Sequence, residues 1–201
     1  MARRRSIQRI ARRAFGERGF GGATIEEIAH KAGLSVGAIY LYFKGKEELS
    51  VSLLQDGLER FAAEMETMLV QPDQPRQKLR AAWELLIEWS PTFIELFRIL
   101  PPADATSAGS TLRERVSDAV ATGLAQAAGR SLALVAMIIE EGIAKGVYRA
   151  ECRETGPYLL WATFAGLVGL QGTRESLHFA APDFAAICQT AFDTLERGLL
   201  A

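Results

Sequence analysis

Apolar positions recur at three- and four-residue spacing along almost the whole chain. Ile7, Ile10, Ala11, Ala14 and Phe15 form one such stripe, which predicts a helix over Arg3 to Arg18 with the arginines on the rest of its circumference. Gly-Phe-Gly-Gly at 19–22 ends it. Thr24 followed by Glu27 is a capping box, in which the threonine oxygen and the glutamate carboxylate each satisfy a free backbone N–H. The second helix that follows has Ile25, Ile28, Ala29 and Ala32 as its stripe, and Gly33 stops it, being free to take the left-handed conformation of a helix end. Ser35 caps a third helix of about two turns reaching Phe43. A fourth begins near Lys46 with Leu49, Leu53, Leu54, Leu58, Phe61 and Met65 facing inward, and the two prolines of QPDQP (71–75) close it.

Beyond that linker the periodicity predicts helices at 76–89, 91–100, 110–128, 130–145, 154–173 and 183–199, with PPADATSAGS (101–110) as the most loop-like segment. No period-two pattern survives inspection. The expectation is an all-α protein of about nine to ten helices: a three-helix N-terminal helix-turn-helix domain at 1–47 and a C-terminal helical bundle at 48–201.

Charge changes this picture more than composition does. The net charge is −1, yet residues 1–50 hold ten Lys or Arg against five Asp or Glu, and residues 51–201 hold 13 against 19. Arg3, Arg4, Arg5, Arg9, Arg12 and Arg13 all precede the first acid, Glu17. A polyanion-facing N-terminal part on a body that does not bind polyanions fits this asymmetry. The apolar and glycine-rich run YLLWATFAGLVGL, Tyr158 to Leu170, is 13 residues, shorter than the roughly 18–20 of a membrane span, and the basic N-terminus lacks a signal peptide's apolar stretch. A cytoplasmic protein with no membrane partner is expected. Cys152 and Cys188 stand 36 positions apart with no CxxC, so neither a disulfide framework nor a zinc site is expected. His30 and His178 have no Ser, Asp or Cys at catalytic spacing, so no enzyme, cofactor or metal site is expected.

Helix, glycine turn, helix is the arrangement whose second helix enters a DNA major groove. Structural demand accounts for Gly33, Leu34, Ile39 and Phe43 in GLSVGAIYLYFKGKEEL (33–49), but not for the short Ser35, Gly37 and Ala38 or for the tyrosines. Short side chains bring a backbone to a groove floor and touch thymine methyls, and tyrosine hydroxyls reach phosphates. At residues 7–52 the chain resembles the N-terminal domain of the tetracycline-repressor (TetR/AcrR) family of transcription regulators. The shared pattern is A-x-x-x-F-x-x-x-G-F from Ala11, then T-x-x-x-I-A from Thr24, then A-G-x-S-x-G-x-I-Y-x-Y-F-x-x-K-E-x-L from Ala32.

The resemblance implies a homodimer on palindromic double-stranded operator DNA, released by a small-molecule effector. It implies DNA contacts at Thr24, Val36, Gly37, Ala38, Tyr40, Tyr42 and Lys46. Ser35 adds a short side chain on the same face, and Arg3, Arg4 and Arg5 are expected as a flexible minor-groove arm. Positions 36–38 offer no bidentate donor, so methyl contacts and DNA shape are expected to carry specificity.

In the body, helical spacing makes the large aromatics core residues first. The resemblance adds a pocket there, for an apolar or aromatic effector, with Trp83, Trp89, Phe93, Phe97, Met137, Trp161 and Phe164 as candidate walls. It also implies a dimer through the last two helices, to which Ala162, Gly166, Gly169 and Gly172 are assigned. Glycine costs a helix about 1 kcal/mol against alanine, so three of them need close approach to something. A redox-responsive regulator using Cys152 or Cys188 is the alternative reading.

Overall fold

The computed structural model describes residues 2–70, 74–98, 116–177 and 183–201, and among them the chain is all-α, with eight helices and no strand. They are α1 (Ala2–Gly22), α2 (Ile25–Ala32), α3 (Val36–Tyr40), α4 (Lys46–Leu69), α5 (Pro75–Arg98), α6 (Asp118–Ala144), α7 (Cys152–Leu177) and α8 (Phe184–Leu199). The residues group into two compact units, Met1–Leu58 with Glu95–Ala127, and Glu59–Ile94 with Ala128–Ala201.

Local chemistry sets the helix boundaries of the first unit. Gly19 takes φ 67, ψ 176, so α1 kinks where the glycine cluster was expected to end it, and a short turn follows. Thr24 Oγ1 accepts the Glu27 N–H at 3.1 Å, but the expected reciprocal half of the capping box gives way to ion pairs: the Glu27 carboxylate turns to Lys31 Nζ at 2.8 Å and Arg18 at 3.4 Å. Gly33 closes α2 in the left-handed region, φ 64, ψ 37. The Ser35 hydroxyl oxygen accepts the Ala38 N–H at 3.2 Å and starts α3. That helix is shorter than the two turns expected. It ends at Tyr40 because the Tyr42 and Phe43 N–H groups converge on one acceptor, the Ile39 carbonyl, at 2.9 and 3.1 Å.

Ile7, Ala11, Ala14 and Phe15 of α1 are buried with Ile28 and Ala29 of α2, Ile39, Phe43, and Leu49 and Leu53 of α4. Polar bonds hold the same unit at two further points. Gln8 Nε2 donates to the Ser52 carbonyl and hydroxyl oxygens at 3.3 and 3.2 Å, and the buried Glu48 carboxylate accepts the N–H and O–H of Ser117, each at 2.9 Å. Beside the second, Val51 packs with Val116, Val120 and Ala121.

Among the described residues the helix count falls below the expectation, for two reasons. α5 is a single helix through Pro91, where a break was expected. An interior proline costs about 3 kcal/mol, but Trp89 and Phe93 on either side of it both pack on Phe61, with centroids 5.8 and 5.4 Å away. Phe93 is fully buried and Trp89 half-buried there, and these ring contacts offset the lost hydrogen bond. α6 likewise runs through Gly129, around which there is open space. The expected loop at 101–110 lies outside the described residues. By length and mean hydropathy (1.4 over 18 residues) α6 would suit a bilayer; 28% of that stretch is buried, and Val120, Leu134, Ile138 and Ile139 are buried positions of the helix.

In the second unit, the α6–α7 turn is built on Gly142 and Gly146. Gly146 has φ 69, and the Val147 and Tyr148 N–H groups return to the Gly142 carbonyl at 2.8 and 3.3 Å. The Tyr148 ring lies so close to Gly142 that a Cβ there would sit 2.1 Å from it. Glu196, 3% exposed on α8, is held by Arg76 through bonds of 3.2 and 3.0 Å.

Candidate functional site

α3 is a single turn of helix with one face buried and one free. Ile39 is fully buried, whereas Tyr40 is 52%, Leu41 83% and Tyr42 38% exposed. Gly37 is exposed, and Val36 and Ala38 are half-buried on its flanks. Ser35 is exposed but its oxygen is occupied by the Ala38 N–H, so its first task is to start the helix.

The expected phosphate contacts, Thr24 and Lys46, lie next to each other in space. Lys46 Nζ donates to the Ala23 carbonyl at 3.1 Å and stands 4.5 Å over the Phe20 ring, which ties the start of α4 to the residue before the α2 cap. Lys44, which sequence reasoning did not assign, donates to the Val116 carbonyl at 3.4 Å. Arg3, Arg4 and Arg5 are helical residues in the first turn of α1, not an unstructured arm, and the Arg4 guanidinium sits 4.7 Å over Phe43. The expectation of a flexible arm is corrected accordingly: stacking on a buried ring fixes that turn.

A chain of ion pairs joins α1 to α2 behind these residues. Glu27 pairs with Lys31 and Arg18, and Glu17 with Arg13 at 2.9 Å and Lys31 at 3.6 Å. The Lys31 hydrogen bond, followed by the charges of Arg18 and Lys31, holds the Glu27 carboxyl below its ordinary range, and Lys31 is raised in return.

The candidate pocket residues largely come together. Phe93 has Phe61, Phe164, Trp161 and Trp89 around it at centroid distances of 5.4, 5.7, 6.1 and 6.2 Å, and Trp83 adjoins Phe164 and Phe192 at 6.1 and 5.6 Å. Trp83, Phe93 and Phe164 are buried core, while Trp89 and Trp161 are half-buried at its margin. The indole N–H of Trp83 is satisfied by the Cys188 carbonyl at 3.0 Å, and that of Trp89 by Glu64 at 3.0 Å. Met137 does not join them. It is 65% exposed on α6, because the helix turns Ile138 and Ile139 inward in its place. The Phe97 side chain lies outside the described residues. Phe61 and Phe192 are members that sequence reasoning left off the pocket; Phe61 was legible only as an inward position of its helix.

Ala162, Gly166 and Gly169 lie on one exposed face of α7, with Tyr158 65%, Leu159 51% and Leu170 48% exposed around them. Among the described residues, a Cβ built on Gly166 or Gly169 meets nothing within 4 Å, so packing against them does not require glycine at either. The surroundings of Gly172 are outside the described residues. Beside this face, Thr163 of α7 and Ala186, Ile187, Thr190 and Leu195 of α8 line an open, mostly apolar groove of about 560 Å³. Both cysteines are buried, and burial, with a smaller contribution from Asp183, pushes the Cys188 thiol up to about 11. His30 is exposed on α2 and His178 is outside the described residues.

Residues 7–53 match the family described as bacterial regulatory proteins, tetR family. The HTH-type transcriptional repressor NicS of Pseudomonas putida is 28% identical over 164 residues, 80% of this chain and 72% of that one. An HTH-type transcriptional repressor of Mycobacterium tuberculosis is 34% identical over 108 residues, about half of each chain (49% and 51%). In fold, the chain is similar to the Bacillus subtilis regulator FadR, solved in complex with stearoyl-CoA, at a TM-score of 0.71 and 20% identity over 96% of this chain and 98% of that one.

Proposed function

We propose that this chain, whose residues 7–53 match the tetR family of bacterial regulatory proteins, is a transcriptional repressor of that family that binds a palindromic operator as a homodimer and is released by a small apolar or aromatic effector. The observation that carries the DNA half is the outward face of α3. Four features meet there: a capped short helix, a buried Ile39 behind it, an exposed glycine, and two exposed tyrosines beside a lysine at the start of the next helix. In this reading residues 1–47 hold the DNA contacts. Gly37, Ala38, Val36 and Tyr40 meet base edges, Ser35 sets the approach of the helix, and Thr24, Tyr42 and Lys46 meet phosphates. Arg3 and Arg5 add charge at the first turn of α1.

Residues 48–201 hold the effector and the partner subunit. The ring cluster around Phe93, with Trp89 and Trp161 half-buried at its edge, supports an apolar ligand that parts these rings, and a fatty acyl chain is one candidate; the FadR neighbour is solved with stearoyl-CoA. The exposed α7 face, with space over Gly166 and Gly169, favours close approach of a second copy. Effector binding would act through α4, one unbroken helix from Lys46 to Leu69, by favouring a form whose two α3 helices no longer match successive major grooves about 34 Å apart. The redox reading draws no support from two buried thiols.

Selection of bound duplexes from a random DNA pool tests the proposal. The expected product is a palindrome. Recovery of no preferred sequence would remove the repressor reading.

A further inference from the structure

Leu41 is the most exposed large apolar side chain among the described residues, and it stands on the one helix proposed to enter a groove. It continues the helical backbone past Tyr40, at φ −69, ψ −20. At about 100° per residue, Gly37 and Leu41 both fall within about 20° of the point diametrically opposite the buried Ile39, with Tyr40 and Tyr42 on the two flanks. A helical leucine leans toward the N-terminus, in the direction of the position four residues before it. Here that position is Gly37, where an added Cβ would meet, among the described residues, only the Ser35 hydroxyl oxygen, at 4.0 Å. The space over the Gly37 backbone is therefore open, with the exposed Leu41 on the same outward side of the helix. The Ser35 oxygen accepts the capping Ala38 N–H and keeps its own O–H at the edge of this space, so the polar group nearest Gly37 sits to one side of it.

The major-groove edge of a base pair carries one apolar feature, the thymine 5-methyl group. We infer that Gly37 and Leu41 together seat the 5-methyl of one thymine in each half-site, which makes Leu41 a specificity-determining residue. The inference rests on the repressor reading and names the base feature that the short α3 helix selects. Gly37 admits the methyl by having no side chain, and Leu41 removes it from water. The tyrosines on either flank are left to reach the groove walls.

The test uses the duplex selected by the full chain, with each thymine of a half-site replaced in turn by deoxyuridine, which lacks only the methyl. A replacement in one half-site is expected to weaken wild-type binding about fourfold, as the loss of one buried methyl does. Leu41→Ala, which alters both subunits, should weaken binding of the unmodified duplex by about fourfold per half-site, about fifteenfold in all, and make that same replacement neutral. Gly37→Ala, which the fold accommodates, should fill the seat and also abolish the discrimination. Thermal melting of both variants without DNA is expected to stay near wild type. If the selected duplex binds but Leu41→Ala pays the same penalty as wild type for every replacement, or binds as wild type does, the inference is overturned while the repressor reading stands. If no duplex is selected, both fall.

Discussion

Lys46 has an internal role that its spacing in the chain conceals. Its ammonium carries three donors, of which one goes to the Ala23 carbonyl and the rest are available to a phosphate. Lys46→Ala should therefore lower DNA affinity about equally across sequences and reduce the salt slope by about 1 for each subunit bound. Because the Ala23 bond goes too, the melting temperature without DNA should also fall. Titrations at several salt concentrations and a melt read the two effects separately. The phosphate role was legible in the sequence from a lysine at a helix start; the carbonyl acceptor was not, since a backbone oxygen leaves no mark in the sequence. Cys188 gives a prediction of opposite character. Its thiol is raised from 9.0 to about 11 by burial, so its protonated form is favoured in the folded chain. The stability this contributes is fully present below pH 9 and is lost as pH rises through 11. Denaturant melts between those limits should lose stability more steeply for wild type than for Cys188→Ala.

Helices were legible where their ends carry their own chemistry. Thr24, Gly33 and Ser35 cap as their residue types predict, because each bond closes within three to five residues. α5 and α6 were not, since Pro91 and Gly129 read as breaks and only distant partners decide otherwise: Phe61, far along the chain, holds both Trp89 and Phe93. Two of the three glycines of α6 separate these cases. Gly142→Ala places a Cβ 2.1 Å from the Tyr148 ring, and overpacking of that kind costs about 1–3 kcal/mol. Gly129→Ala meets nothing and should stabilise by up to about 1 kcal/mol through helix propensity. Thermal melts of the two variants should move in opposite directions.

At the scale of the whole molecule, the all-α class and most of the aromatic cluster follow from helical periodicity, which brings Trp83, Phe93 and Phe164 inward together. Periodicity does not say which apolar residues stay outside. Met137 and the α7 face at Tyr158, Leu159 and Leu170 are exposed, and the second of these is where a partner copy would close. Gly166→Arg has room within the chain, so it should leave the melting temperature of the isolated subunit's fold little changed while displacing the free protein from dimer to monomer. The central claim is that two copies of this chain read one palindrome through α3. Sedimentation of the wild-type chain at micromolar concentration with its selected duplex tests it most directly. Two chains per duplex, with half-site centres about one helical turn apart, is the predicted result; a saturated complex of one chain per duplex would contradict it.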